Sequence, residues 1–177
     1  MMRTSREFLA EEFYLPGWML VDSEDYRGNQ GDFHFLPREP EVVRKGLIYY
    51  VTPRSLHICL SQASYCLLEE QVREGRVDFD IQTLRQYFLG GRIKITELNQ
   101  KFRREVPLSK RMQGVLTLVR YRIGRMPMAK FDFDFDNRAV RGEMIAVIAP
   151  FPVQQTNVDV IRINPSEPKA SEQESQE

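Results

Sequence analysis

The chain has 177 residues, 42% of them hydrophobic and 28% charged, with 25 Lys and Arg balancing 25 Asp and Glu. That length suits one domain with a sizeable core and is short for two, and the balanced charge leaves no general attraction to nucleic acid, so an anion must be held by a local patch. No run approaches the roughly 18 apolar residues of a membrane span, and Met1 to Arg6 lead into the acidic stretch Glu7 to Glu12 rather than an apolar signal segment, so a cytoplasmic protein without membrane contact is expected.

Thr4 and Ser5 precede a stretch in which Phe8, Leu9 and Phe13 share a face, a short amphipathic helix capped by a hydroxyl and closed by Pro16-Gly17. Trp18 to Val21 and Asp32 to Leu36 are β-prone runs separated by the turn-rich Arg27 to Gly31, and Pro37 and Pro40 then enforce a loop. The longest helical signal begins at Thr52-Pro53, with threonine as cap and proline in the first turn, and runs to Val72, ending before Gly75. Its apolar positions wrap most of the way round, leaving almost no charged face before Glu69, so this helix is expected to be buried on most sides. Cys59 and Cys66 lie within it, two turns apart, and read as buried free thiols rather than a redox pair.

From Arg92 the pattern changes to period two: Ile93 and Ile95, then Val115 to Tyr121, then Phe131, Phe133 and Phe135, then Met144 to Ile148. Asp132, Asp134, Asp136 and Glu143 match part of a calcium-loop spacing. Asn137 stands where that loop needs glycine, and alternation with Phe133 and Phe135 reads as a half-buried strand, so no metal is expected. The order is short strands, one central helix and a run of antiparallel strands, an α+β hotdog fold in which a curled sheet wraps a buried helix. Residues 1–160 form this domain. From 161 onward the chain has nothing large and apolar to bury and reads as a disordered acidic tail.

Three segments, Cys59-Leu60-Ser61-Gln62-Ala63-Ser64-Tyr65, Lys101-Phe102-Arg103-Arg104 before Pro107-Leu108, and Asp136-Asn137 before Gly142-Glu143-Met144, give the chain a resemblance to the FcoT-type acyl thioesterase-like hotdog family over roughly residues 8 to 150. The resemblance implies action on fatty acyl thioesters of coenzyme A or acyl carrier protein, by hydrolysis or by addition to an enoyl chain, with no cofactor. It also implies a pocket lined by tyrosines and asparagines. Tyr65 and Tyr14 answer to the tyrosines, whereas Ser61 and Thr52 stand where asparagines are expected.

His57, Ser61 and Tyr65 follow one another at intervals of four along one side of the helix. Tyr65 would donate to a thioester carbonyl, Ser61 would orient water or an amine, and His57 would move a proton near neutral pH. Each also has a structural reading, as a polar group bonded to local backbone or a neighbouring strand. The helix start, with its unpaired amides, nominates Thr52, Arg54 and Ser55 as the side facing a carbonyl oxygen or phosphate. Residues 101 to 125 are basic, and Arg103 and Arg104 would meet coenzyme phosphates or an acidic carrier face.

Two other readings stand beside this one. His34, in His34 to Pro40, resembles the histidine of hotdog 3-hydroxyacyl-thioester dehydratases, but the helix from Pro53 to Leu68 supplies no carboxylate for the acid half of the pair. The chain also reads as a non-catalytic acyl-binding or scaffold hotdog, given its missing asparagines. In any of these roles a sheet with free edges favours a homodimer or larger assembly.

Overall fold

A computed structural model describes residues 4–14, 20–36, 50–108, 111–122 and 126–149. Expectations for Pro16-Gly17, Trp18, the Pro37 to Pro40 loop, Lys110, Arg125 and the C-terminal tail lie outside these residues.

The chain opens with α1, Ser5–Phe8, whose first turn is closed by a capping box: Thr4 accepts from the Glu7 amide and Glu7 reaches back to the Thr4 amide. A π-helical turn, Leu9–Phe13, continues it and puts Phe8 and Leu9 into the core. Strands β1, Val21–Arg27, and β2, Gln30–Phe35, form a hairpin turning at Gly28, whose φ of 64° suits glycine. The first strand therefore lies later than expected, because the polar run Asp22 to Asp25 masks it. β1 is an edge strand, and only Val21, Glu24 and Tyr26 turn inward, opposite Phe35, Phe33 and Gly31.

Helix α2 spans Pro53–Arg73 with Thr52 as its N-cap, as the sequence predicts, and packs on β1, β2 and β4. One element went unanticipated: α3, Ile81–Leu89, capped by Asp80, whose carboxylate accepts from the Thr83 amide at 2.7 Å. Its inward residues, Leu84 and Phe88, are four apart, a single short stripe that is easily lost beside the stronger signal of α2.

The remaining strands are β3, Ile93–Phe102, β4, Met112–Arg122, β5, Met128–Phe135, and β6, Val140–Ile148. The six-stranded antiparallel sheet has the order β1-β2-β4-β5-β6-β3, so β3 returns after the helices to the edge opposite β1. Phe131, Phe133 and Phe135 point inward and Asp132 and Asp134 outward, the alternation read from the sequence. Among the described residues no group of three or more His, Cys, Asp or Glu is placed to hold a metal.

The inner face is crowded with phenylalanines, and glycines make the room. A side chain at Gly114 would meet the Phe135 ring, and one at Gly31 the Phe33 ring. At Gly142 it would meet the backbone carbonyl of Asn99 on β3. Cys59 and Cys66 are buried free thiols. Burial, and for Cys66 also the Glu24 carboxylate it hydrogen-bonds, pushes both thiols well above the ordinary range, as expected of packing rather than reactive groups.

Candidate functional site

Along α2, the residues nominated from the sequence occupy one face that passes from solvent into the core. Arg54 and His57 are exposed, Ser61 is half-buried and Tyr65 is 1% exposed. His57, Ser61 and Tyr65 are therefore not presented together to a ligand.

Tyr65 is enclosed between the rings of Phe8 and Phe88, with centroids at 5.7 and 4.2 Å. Its hydroxyl donates to Glu69 Oε2 at 2.5 Å. Glu69, the first charged residue after the apolar stretch of the helix, is fully buried, and two guanidinium groups converge on it. Arg85 of α3 donates from Nη2 to Oε1 at 2.6 Å and from Nε to Oε2 at 3.2 Å, and Arg73 reaches Oε1 at 2.8 Å. Arg85 also lies over the Phe8 ring, 4.8 Å from its centroid, so α1, α2 and α3 are fastened at one point. Burial first, then the bond to Glu69, raises the Tyr65 pKa. The spacing Tyr65, Glu69, Arg73, each four residues on, is the sequence signal that announces this cluster.

Ser61 meets Tyr14 from the first helical segment. The Tyr14 hydroxyl is hydrogen-bonded with Ser61 and Gln62, and burial raises its pKa while those two bonds oppose the rise. Gln62 Oε1 in turn accepts the amides of Leu20 and Val21, at 2.9 and 3.1 Å, locking the entry to β1. Two of the four nominated catalytic residues, Tyr14 and Ser61, are thus brought together, although they lie far apart in sequence.

At the start of α2 a cavity of about 320 Å³ opens between Tyr50, Val51 and Pro53 on one side and Phe102, Arg103, Arg104 and Glu105 on the other. Two local features bring these segments together: the Val51 amide donates to the Val106 carbonyl at 2.7 Å, and Tyr50 bridges to Pro107. Tyr50 is 45% and Phe102 37% exposed, large apolar surfaces at the mouth of a cavity. In the first turn of the helix Pro53 has no N–H, Ser55 N donates to Thr52 Oγ1 at 3.2 Å and Leu56 N to the Thr52 carbonyl at 2.9 Å. Among the described residues the Arg54 amide, at the positive end of the helix, is the donor of this turn with no partner.

The basic stretch from 101 to 125 does not form one patch. Arg103 and Arg104 lie at the cavity. Arg120 and Arg122 sit on the outer face at the C-terminal end of β4, opposite Lys130 and Met128. Arg111 is paired with Asp22 at 2.5 Å. His34 lies on the outer face of β2, away from α2, with Nδ1 3.0 Å from the Ser23 hydroxyl, so the histidine of the dehydratase reading does not face the helix.

No family model matches the sequence, and no curated protein matches it. The fold does have relatives among solved structures. A candidate thioesterase from Shewanella oneidensis superposes with a TM-score of 0.54 at 11% identity, over 82% of this chain and 95% of that one. The HP0420 homologue from Helicobacter felis gives 0.51 at 11% identity, over 86% and 96%. At such identities the likeness is one of fold. The chain is an α+β protein of the hotdog fold, as its sequence resemblance predicts. Among the described residues no helix is long and apolar enough to cross a membrane.

Proposed function

We propose that the chain processes an acyl thioester of coenzyme A or of an acyl carrier protein, by thioesterase-like hydrolysis or by addition to an enoyl thioester. The observation that carries this reading is the cavity itself. The N-terminal end of a helix, at Val51 and Pro53, faces an arginine-bearing strand end across an apolar gap, in a fold shared with a candidate thioesterase. The apolar gap suits the uncharged part of the pantetheine arm, and Arg103, which lines it, suits phosphate.

In the hydrolytic form, water attacks the thioester carbonyl carbon, the Arg54 amide and the helix dipole stabilise the oxyanion, and the carbon–sulfur bond breaks to release acid and thiol. His57, one turn further along the same exposed face, is the titratable group suited to carry the proton from water to the departing thiolate. The Tyr14–Ser61 pair, about 10 Å from Arg54 along the helix at 1.5 Å per residue, borders the acyl side.

Incubating the protein with a panel of acyl-coenzyme A and acyl-carrier thioesters, following thiol release and product mass, tests the reading. Turnover that falls at least tenfold in both Arg103→Ala and His57→Ala supports it. Thioester binding without any turnover would leave an acyl-binding protein, a reading that the commitment of Tyr65 to Glu69 favours.

A homodimer is also expected. β3 is a ten-residue edge whose inward side chains Ile93, Ile95 and Leu98 are only half-buried, and Phe102 at its end lines the cavity, so a second copy added there would cover both. Light scattering at micromolar protein should give twice the chain mass, and a stable monomer would remove the shared site.

A further inference from the structure

The turn between β5 and β6 has an unusual backbone. Asp136, Asn137 and Arg138 are all left-handed, with φ of 48°, 54° and 65°. Asp and Asn adopt this region comparatively readily through local side-chain bonds, but a long side chain such as Arg138 does so against steric resistance. Such a conformation persists only where its surroundings hold it. Here they do: the Asp136 amide donates to the Gln113 carbonyl at 2.7 Å, and the Arg138 amide to Asp134 Oδ1 at 2.8 Å.

The carbonyl of Asp136 in this turn and that of Ala139 just after it are both taken by the cavity wall. The ladder between β3 and β6 ends at Phe102 opposite Val140, so residues 103 to 105 have lost regular strand support. Two bonds replace it. The Arg103 amide donates to the Ala139 carbonyl at 2.8 Å, and Arg104 Nη2 to the Asp136 carbonyl at 2.5 Å, with Asp136 Oδ2 3.5 Å away. Adjacent arginines of the same wall are therefore in different situations. Arg104 is tied back onto the turn, whereas the Arg103 side chain has no ion pair among the described residues.

We propose that Arg104 is a positioning residue: with the left-handed turn 136–138 it holds the wall of the cavity in place, and Arg103 alone of the two meets the ligand's anionic group. The proposal rests on the thioester reading of the cavity for the identity of the ligand, but the tie itself concerns the protein alone.

Two measurements on the full chain separate the roles. The first is hydrogen exchange of the peptide covering 102–106 without ligand. Arg104→Ala should raise its exchange rate about threefold, as one solvent-exposed charge-assisted bond is lost, while Arg103→Ala leaves it near the wild-type rate and Arg104→Lys, which keeps a donor, restores most of the protection. The second is the affinity for coenzyme A across a salt series. Arg103→Ala should weaken binding and flatten its salt dependence, because a charge that meets phosphate has gone. Arg104→Ala should weaken binding by a similar factor with the wild-type salt slope retained.

A flattened slope in Arg104→Ala would make Arg104 a ligand and overturn the proposal, as would unchanged exchange at 102–106. Wild-type protein that binds no coenzyme A or carrier thioester would instead defeat the functional reading, and the exchange measurement would still decide the tie.

Discussion

Replacing Glu69 by glutamine should destabilise the protein by about 3 kcal/mol or more, the usual consequence of removing one partner from a buried ionic cluster. The residue is wholly enclosed and accepts from Tyr65, Arg73 and Arg85 at once, so the substitution removes the carboxylate charge on which both guanidinium groups converge. Arg73, with 31% of its side chain exposed, keeps Glu70 at 3.6 Å and reaches solvent, but Arg85, at 12%, is held against the Phe8 ring. For a chain of this size the loss corresponds to a melting temperature lower by roughly 6–12 °C. Tyr65→Phe on the same preparation should cost about 1.5–3 kcal/mol, the range for a hydrogen bond to a charged group, and a double-mutant cycle should show the two effects to be strongly coupled.

The Tyr65 result also bears on chemistry. A hydroxyl that donates to a carbonyl in the transition state should, when removed, slow turnover about a hundredfold. One that only fastens helices should lower stability and leave turnover per folded molecule nearly unchanged, and its engagement with Glu69 makes this the expected result. The pH dependence has a definite sign. The folded Tyr65 holds its proton above the unfolded value of roughly 10, so its contribution is fully present below pH 10 and declines as pH rises beyond it.

The second large effect is expected at Gly142. An alanine there would drive its Cβ into the Asn99 carbonyl across the β3–β6 ladder and against the Phe133 ring. Rings can tilt, but a backbone carbonyl in a paired strand moves only with the strand. The cost should lie near 3 kcal/mol, the upper end for overpacking, because relief requires β3 to separate from β6. Since β3 carries the expected dimer edge and leads into the cavity wall, Gly142→Ala should also weaken self-association. Thermal melting combined with light scattering checks both, and an alanine variant as stable and as dimeric as the wild type would show that β3 yields more easily than its pairing implies.

The sequence by itself determined the elements whose signals are local. Thr52-Pro53 started α2 at its observed first turn, and the alternation of Phe131, Phe133 and Phe135 with aspartates set the inner face of β5, because capping and side-chain period depend only on neighbours in the chain. The hotdog arrangement was legible for the same reason, since one long buried helix followed by period-two strands admits few architectures. Much less of the site could be read this way. That Tyr14 reaches Ser61, that Arg85 reaches Glu69 and that Arg104 turns back to Asp136 are contacts between segments tens of residues apart or on different elements, with no periodicity to announce them. The burial of Glu69 has the same cause: the arginine that makes it tolerable, Arg85, comes from α3, a second helix laid over the first. Only the tertiary structure decided which polar residues are fasteners and which are left open to a ligand, because that depends on what each one finds within about 3 Å once the chain has closed.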